Sequence, residues 1–227
     1  ANLFTDCAVN IVDDAGKPIF GEGDNRAKMI DVMGFWARAV KEGLVPQRVV
    51  DIKNEGDMAP DAGKPNQVAM LLAGSWAYSA FKNVLKDDLD KNWDFTFTPQ
   101  KTAGLKGQVA GGYLWGFFTK DPKRIKAGID FVQTVYTSKD GMANWCYTAG
   151  YTPTRKSVLE TPQFQKDRWQ LAFARVVEVA STRPGVKSYV IMSVNLQNAF
   201  QAVILGKETP EQAVDNAFKK TVAQLSS

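Results

Sequence analysis

A chain of 227 residues with 44% hydrophobic and 23% charged residues buries a substantial core, which excludes a disordered or fibrous protein. Its formal charge of +4 comes from 28 basic and 24 acidic residues spread along the whole length, so no field for a phosphate backbone is concentrated anywhere and no nucleic-acid partner is expected. The absence of histidine removes Ser-His-Asp and Cys-His constellations, H-E-x-x-H zinc sites and the usual general base near neutral pH.

The first residues, "ANLFTDCAVN", show no charged segment followed by an apolar run, so no signal peptide is expected in the chain as it stands. The longest apolar runs, "VAMLLAG" and "YLWGFF", fall far below the roughly 18 to 20 residues a membrane helix needs, and no membrane anchor is expected. Cys7 and Cys146 lie far apart with no C-x-x-C spacing: they are two unrelated thiols, or a pair in an oxidising compartment. Neither that spacing nor the two glycines of "GEGDNR" supports a metal, a cofactor or a nucleotide phosphate, and no cofactor is expected.

The spacing of Ile30, Met33, Ala37 and Val40 predicts an amphipathic helix over 24–42, stopped by Gly43 with Pro46 after it. "QVAMLLAG" at 67–74, "WDFTFTP" at 93–99 and "GYLWGFFT" at 112–119 read as strands. Gly74-Ser75 then presents Trp76, which is either a plug in the core or a flat platform at a surface. The acidic run "VLKDDLDKNWD" reads as a solvated helix face, although two carboxylates flanking a sugar would suffice for glycoside hydrolysis.

Asp121-Pro122 reads as an N-cap and first helical residue, opening a helix with Ile125, Ile129, Val132 and Tyr136 on one side. The basic "DPKRIKAG" is its solvated first turns. A helix over 139–148 ends at Gly150. "TPQF" and "TPEQ" each place Thr before Pro at a helix start, the second with Gln212 at the capping-box position. Helices over 162–180, 190–206 and 209–225 follow, and the strands are too few for a complete sheet of their own.

Several segments, taken together, carry a resemblance. "GLVP", "QVAMLLAGSWA", "FTFTPQ", "GGYLWGFF", "KAGIDFVQTVYTS", "AGYTPTR" and "RPGVKSYVIMSVNLQNAFQAVILGKETPEQAVDNA" occur in the order and spacing that resembles extracellular solute-binding proteins of family 1, the receptors of ABC importers for sugars and related solutes. The resemblance covers nearly the whole chain but only about the second half of a family member. It implies an α/β fold of the type II periplasmic-binding, two-lobe kind, here mostly the helix-rich second lobe with part of the first lobe missing. Residues 1–107 and 150–227 would form the second lobe and 108–149 a segment of the first, with apolar surface there exposed or covered by another chain.

The function implied is a non-enzymatic receptor, periplasmic or otherwise extracytoplasmic, that takes a sugar or polyol in an interlobe cleft, closes by a hinge and is read by a membrane permease. The missing half, or a second chain, would complete it. Trp76 is carried over as the stacking platform with the Ser75 hydroxyl beside it. Gly111 and Gly112 would let backbone approach the solute or serve only a hinge, with Tyr113 a ligand contact and Trp115 core. Tyr151 and Arg155 follow on a loop; Arg155 either holds hydroxyls through its fork of donors or is an ordinary surface arginine, while Trp145 and Tyr147 are near enough to contribute, although a helical aromatic stripe is more often packing. The alternatives are a carboxylate-dependent carbohydrate hydrolase and a helical interaction module.

Overall fold

A computed structural model describes residues 9–65, 67–101 and 108–226; Cys7 lies outside them. In chain order the helices are α1 Gly23–Lys41, α2 Ala59–Ala62, α3 Tyr78–Leu85, α4 Asp87–Asn92, α5 Pro122–Val132 and α6 Lys139–Ala149. They continue with α7 Lys156–Leu159, α8 Pro162–Gln165, α9 Arg168–Val177, α10 Tyr189–Ile204 and α11 Pro210–Leu225. Short 3₁₀ turns occupy Gln47–Asp51, Glu55–Met58 and Ser75–Ala77, and a π turn Gln133–Thr137 extends α5. Two strands, β1 Gln108–Ala110 and β2 Ala180–Thr182, pair in parallel with Gln108 opposite Ala180.

The chain divides into two compact units, one drawn from Ala1–Ile52, Thr98–Ala110 and Ala180–Ser227, the other from Lys53–Phe97 and Gly111–Val179.

The first unit packs α1, α10 and α11 around Phe20, Met29, Met33, Met192, Leu196 and Val214. Each such side chain contributes about 1.5–3 kcal/mol on burial. The buried stripe of α1 is Met29, Val32, Met33 and Ala39, one position round from the expected face; Ile30 and Ala37 flank it, half-buried. The α11 terminus carries the expected capping box: the Thr209 hydroxyl accepts from the Gln212 N–H at 3.2 Å, and the Gln212 side chain accepts from the Thr209 N–H at 3.0 Å. Arg26 of α1 grips Asp215 of α11 with two nitrogens, at 2.7 and 2.8 Å.

The second unit has two apolar clusters. Ala59, Tyr78, Phe81, Leu85, Leu89 and Trp169 form one, and Met142, Cys146, Val158 and Phe164 the other. The Tyr78 hydroxyl donates to Asp167 at 2.8 Å, and the second Asp167 oxygen caps α9 by accepting from the N–H of Trp169 and Gln170 at 3.0 and 3.2 Å. Burial, and then the bond to Asp167, raise the Tyr78 pKa above its ordinary value. This cap explains why the single helix expected over 162–180 is broken: Asp167 starts a new helix three residues after buried Phe164.

Three expected strands are absent. Residues 67–74, 93–99 and 112–119 join no ladder among the described residues and run as irregular chain. Their apolar side chains match a strand, but a strand exists only through the backbone of a partner, and none pairs with them among the described residues. Many of these side chains are exposed, Leu114 at 98% and Phe118 at 104%. Apolar exposure was expected within 108–149, and it extends along α5, which buries none of its residues.

Candidate functional site

All the site residues named above fall in the second unit. Extended backbone at Gly74 (φ −88°, ψ 166°) leads into the Ser75–Ala77 turn, closed by the Ala77 N–H donating to the Gly74 carbonyl at 3.0 Å. The turn sends Ala77 and Tyr78 into the core and leaves Trp76 at the surface, 43% exposed. Trp76 is therefore no core plug. Its indole folds back over Gly74 so closely that a Cβ there would overlap ring carbons Cζ2, Cη2 and Cε2. Its Nε1–H donates to the Glu55 carboxylate at 2.8 Å, from the first residue of the Glu55–Met58 turn. A ring with glycine beneath and a carboxylate at its edge has one plane of repose, which is the requirement for stacking.

Gly150 ends α6 in the left-handed conformation, φ 76°, and the Tyr151 N–H returns to the Cys146 carbonyl at 2.9 Å. This turn lies against the Trp76 turn: a Cβ on Gly150 would sit 2.9 Å from the Ser79 hydroxyl and 3.1 Å from the Ser75 carbonyl, and the Ser79 hydroxyl donates to the Thr148 carbonyl at 3.2 Å. Ser75, Trp76 and Tyr151 are thereby brought onto adjoining turns. The Tyr151 ring in turn meets Tyr113 at 6.2 Å, edge to face, and stacks on Trp145 at 5.9 Å.

The rings continue from Trp145 to Tyr136 at 5.2 Å and from Tyr136 to Trp115 at 4.6 Å. Trp115, expected in the core, is 56% exposed, because the chain around it has no sheet to enter. A Cβ on Gly112 would meet nothing within 4 Å, so packing inside the chain does not demand that glycine; Gly111 is likewise exposed. Arg155 is exposed at the start of α7, with no side-chain hydrogen bond or ion pair among the described residues. Sequence reading missed Glu55; it placed Trp145 near enough to contribute but favoured packing, and the ring stacks on Tyr151.

No group of three potential metal ligands exists among the described residues. Burial pushes the Cys146 thiol up to about 11, which keeps it protonated and unreactive. A cavity of about 390 Å³ in this unit is lined by Asp94, Phe95, Phe97, Arg168, Trp169 and Arg175, none of them an expected site residue. No helix among the described residues is long and apolar enough to cross a membrane.

Residues 4–169 match the family described as bacterial extracellular solute-binding protein, and the chain belongs to that family. Among solved structures it is similar to the maltose-bound MalE3 of T. maritima, at 20% identity and a TM-score of 0.81, over 98% of this chain and 56% of that one. The maltose/maltodextrin-binding domain MalE from Bdellovibrio bacteriovorus bound to maltotriose gives 16% identity and a TM-score of 0.78, over 100% and 57% of the two chains. The sugar-binding protein MalE from Xanthomonas citri gives 19% and 0.74, over 99% and 55%. The chain thus has the periplasmic-binding-protein fold and spans just over half the length of these structures. No curated protein sequence matches it. The family and these neighbours are binding proteins, not enzymes, and give the hydrolase alternative no support.

Proposed function

We propose that this chain is the part of an extracytoplasmic solute receptor that presents an aromatic wall to a sugar or related polyol. The carrying observation is the half-exposed Trp76 indole, held over Gly74 and tied to Glu55, on a turn that adjoins Tyr151. A pyranose has a face of C–H groups and a rim of hydroxyls; the indole covers the face, and polar groups around it take the rim.

In this reading Tyr113 and Tyr151 extend the apolar wall, and Ser75 and Arg155 supply donors. Gly111 and Gly112 let backbone approach the solute. The sugars named for the similar structures, maltose and maltotriose, make glucose oligomers the first solutes to try. The interlobe cleft, hinge closure, assignment of 108–149 to a first lobe and recognition by an ABC-importer permease belong to the same proposal. So does completion of the binding site by further chain or a second polypeptide.

A thermal-shift screen against mono- and oligosaccharides tests it, on this chain and on any longer form. A solute at 100 times its Kd stabilises by about 2.7 kcal/mol, so a true ligand raises Tm by a few degrees in proportion to log concentration. A flat response to every carbohydrate contradicts the proposal.

A further inference from the structure

We propose that Glu55 is the positioning and selectivity residue of the Trp76 platform: its carboxylate fixes the indole plane and places a negative charge at the ring's edge that favours neutral sugars over anionic ones. The inference rests on the sugar-platform reading above and deepens it.

The geometry carries it as follows. Glu55 Oε2 accepts from Trp76 Nε1 at 2.8 Å, the length of a charge-assisted bond, across 21 residues of sequence. With Gly74 beneath the ring, this bond removes the remaining freedom of rotation about the side chain. Among the described residues, the other carboxylate oxygen accepts no hydrogen bond and forms no ion pair. Glu55 is half-buried at the start of a short turn, and its bond to the indole lies at the surface rather than in the core.

A sugar stacked on the indole brings its hydroxyl rim to this edge. A neutral rim donates a hydroxyl to the unused oxygen, whereas a rim carrying a carboxylate or phosphate meets a like charge with little water between. The same carboxylate therefore orients the platform and discriminates the solute. Nothing in the residue types around Glu55 requires an acid for folding: an amide at 55 keeps an acceptor for the indole and removes only the charge.

The test separates the two roles. In ¹⁵N-labelled protein without ligand, the Trp76 Nε1 signal, assigned by its loss in Trp76→Phe, is expected to remain shifted and protected from exchange in Glu55→Gln and to exchange freely in Glu55→Leu. In titrations with maltotriose and with maltotriose oxidised to carboxylates at its primary alcohols, the unaltered protein is expected to prefer the neutral sugar. Glu55→Gln is expected to narrow that preference about tenfold, the scale of one hydrogen bond to a charged group. An unchanged preference in Glu55→Gln overturns the selectivity, and an Nε1 signal indifferent to Glu55→Leu overturns the positioning. If the unaltered protein binds neither sugar, the proposed function and the selectivity both fall, and the Nε1 signal still decides whether Glu55 holds the ring.

Discussion

An indole that serves as a platform has to stay out of the core and yet keep one orientation, two demands that ordinarily conflict. At Trp76 the conflict is resolved by the smallest residue and a charged one: Gly74 gives the ring a seat and Glu55 pins its edge. Gly74→Ala puts a methyl group where ring carbons now lie, so the indole has to leave that seat. We expect Tm to change by no more than a few degrees while sugar affinity falls at least about tenfold, as loss of a preorganised aromatic contact implies. Equal affinity in Gly74→Ala and the unaltered chain counts against the seat. The Gly-Ser-Trp triplet was legible in the sequence because its parts are contiguous. Glu55 was not, since nothing in "KNEGDMAP" shows that a tryptophan 21 residues later folds onto it.

Among the elements, the helix ends were the most legible, because their signals are local. Gly43 and Gly150 adopt positive φ where a stop was expected, Gly206 does so at the end of the helix expected over 190–206, and Asp121 caps α5 by accepting from the Lys123 N–H at 2.9 Å. The strands were the least legible, because a ladder depends on a partner far away in sequence. β1 and β2, three residues each, are too short to show a period.

Between α3 and α4, Lys86 sits at φ 51°, ψ −125°, a conformation glycine tolerates and lysine does not. Lys86→Gly is therefore expected to stabilise the chain by about 1 kcal/mol, read from denaturant unfolding. A loss of stability contradicts the strain.

The α4–α9 tie adds a pH dependence. Asp90 accepts from the Trp169 indole at 2.7 Å and from Arg168 at 3.0 Å, and these bonds, the indole's first, hold its carboxyl below the usual range. A carboxyl lowered on folding contributes stability above its unfolded value of about 3.9, and that contribution disappears as pH falls through the folded value. Stability should therefore drop below about pH 4, and Asp90→Asn should lower Tm at pH 7 and flatten the acid slope. An acid slope unchanged by the substitution removes Asp90 from that account.

At the scale of the molecule, the family and fold were legible from the order of several weak motifs rather than from any one of them. The surface also shows what those motifs leave unsatisfied. Met70, Leu114, Phe118 and Phe131 are large apolar side chains exposed in the second unit. The 227-residue chain is expected to bind a hydrophobic dye and to self-associate with concentration; Leu114→Glu with Phe118→Lys should suppress both without lowering Tm. Sedimentation that stays monomeric in the unaltered chain contradicts this. The central claim, that the indole at 76 is a sugar platform, is met most directly by calorimetric titration of maltotriose into the unaltered chain, Trp76→Phe and Trp76→Ala. The account predicts saturable binding, weakened in Trp76→Phe and reduced by about 10- to 100-fold or more in Trp76→Ala, as removal of a buried aromatic contact implies; maltotriose binding that is indifferent to Trp76→Ala contradicts it.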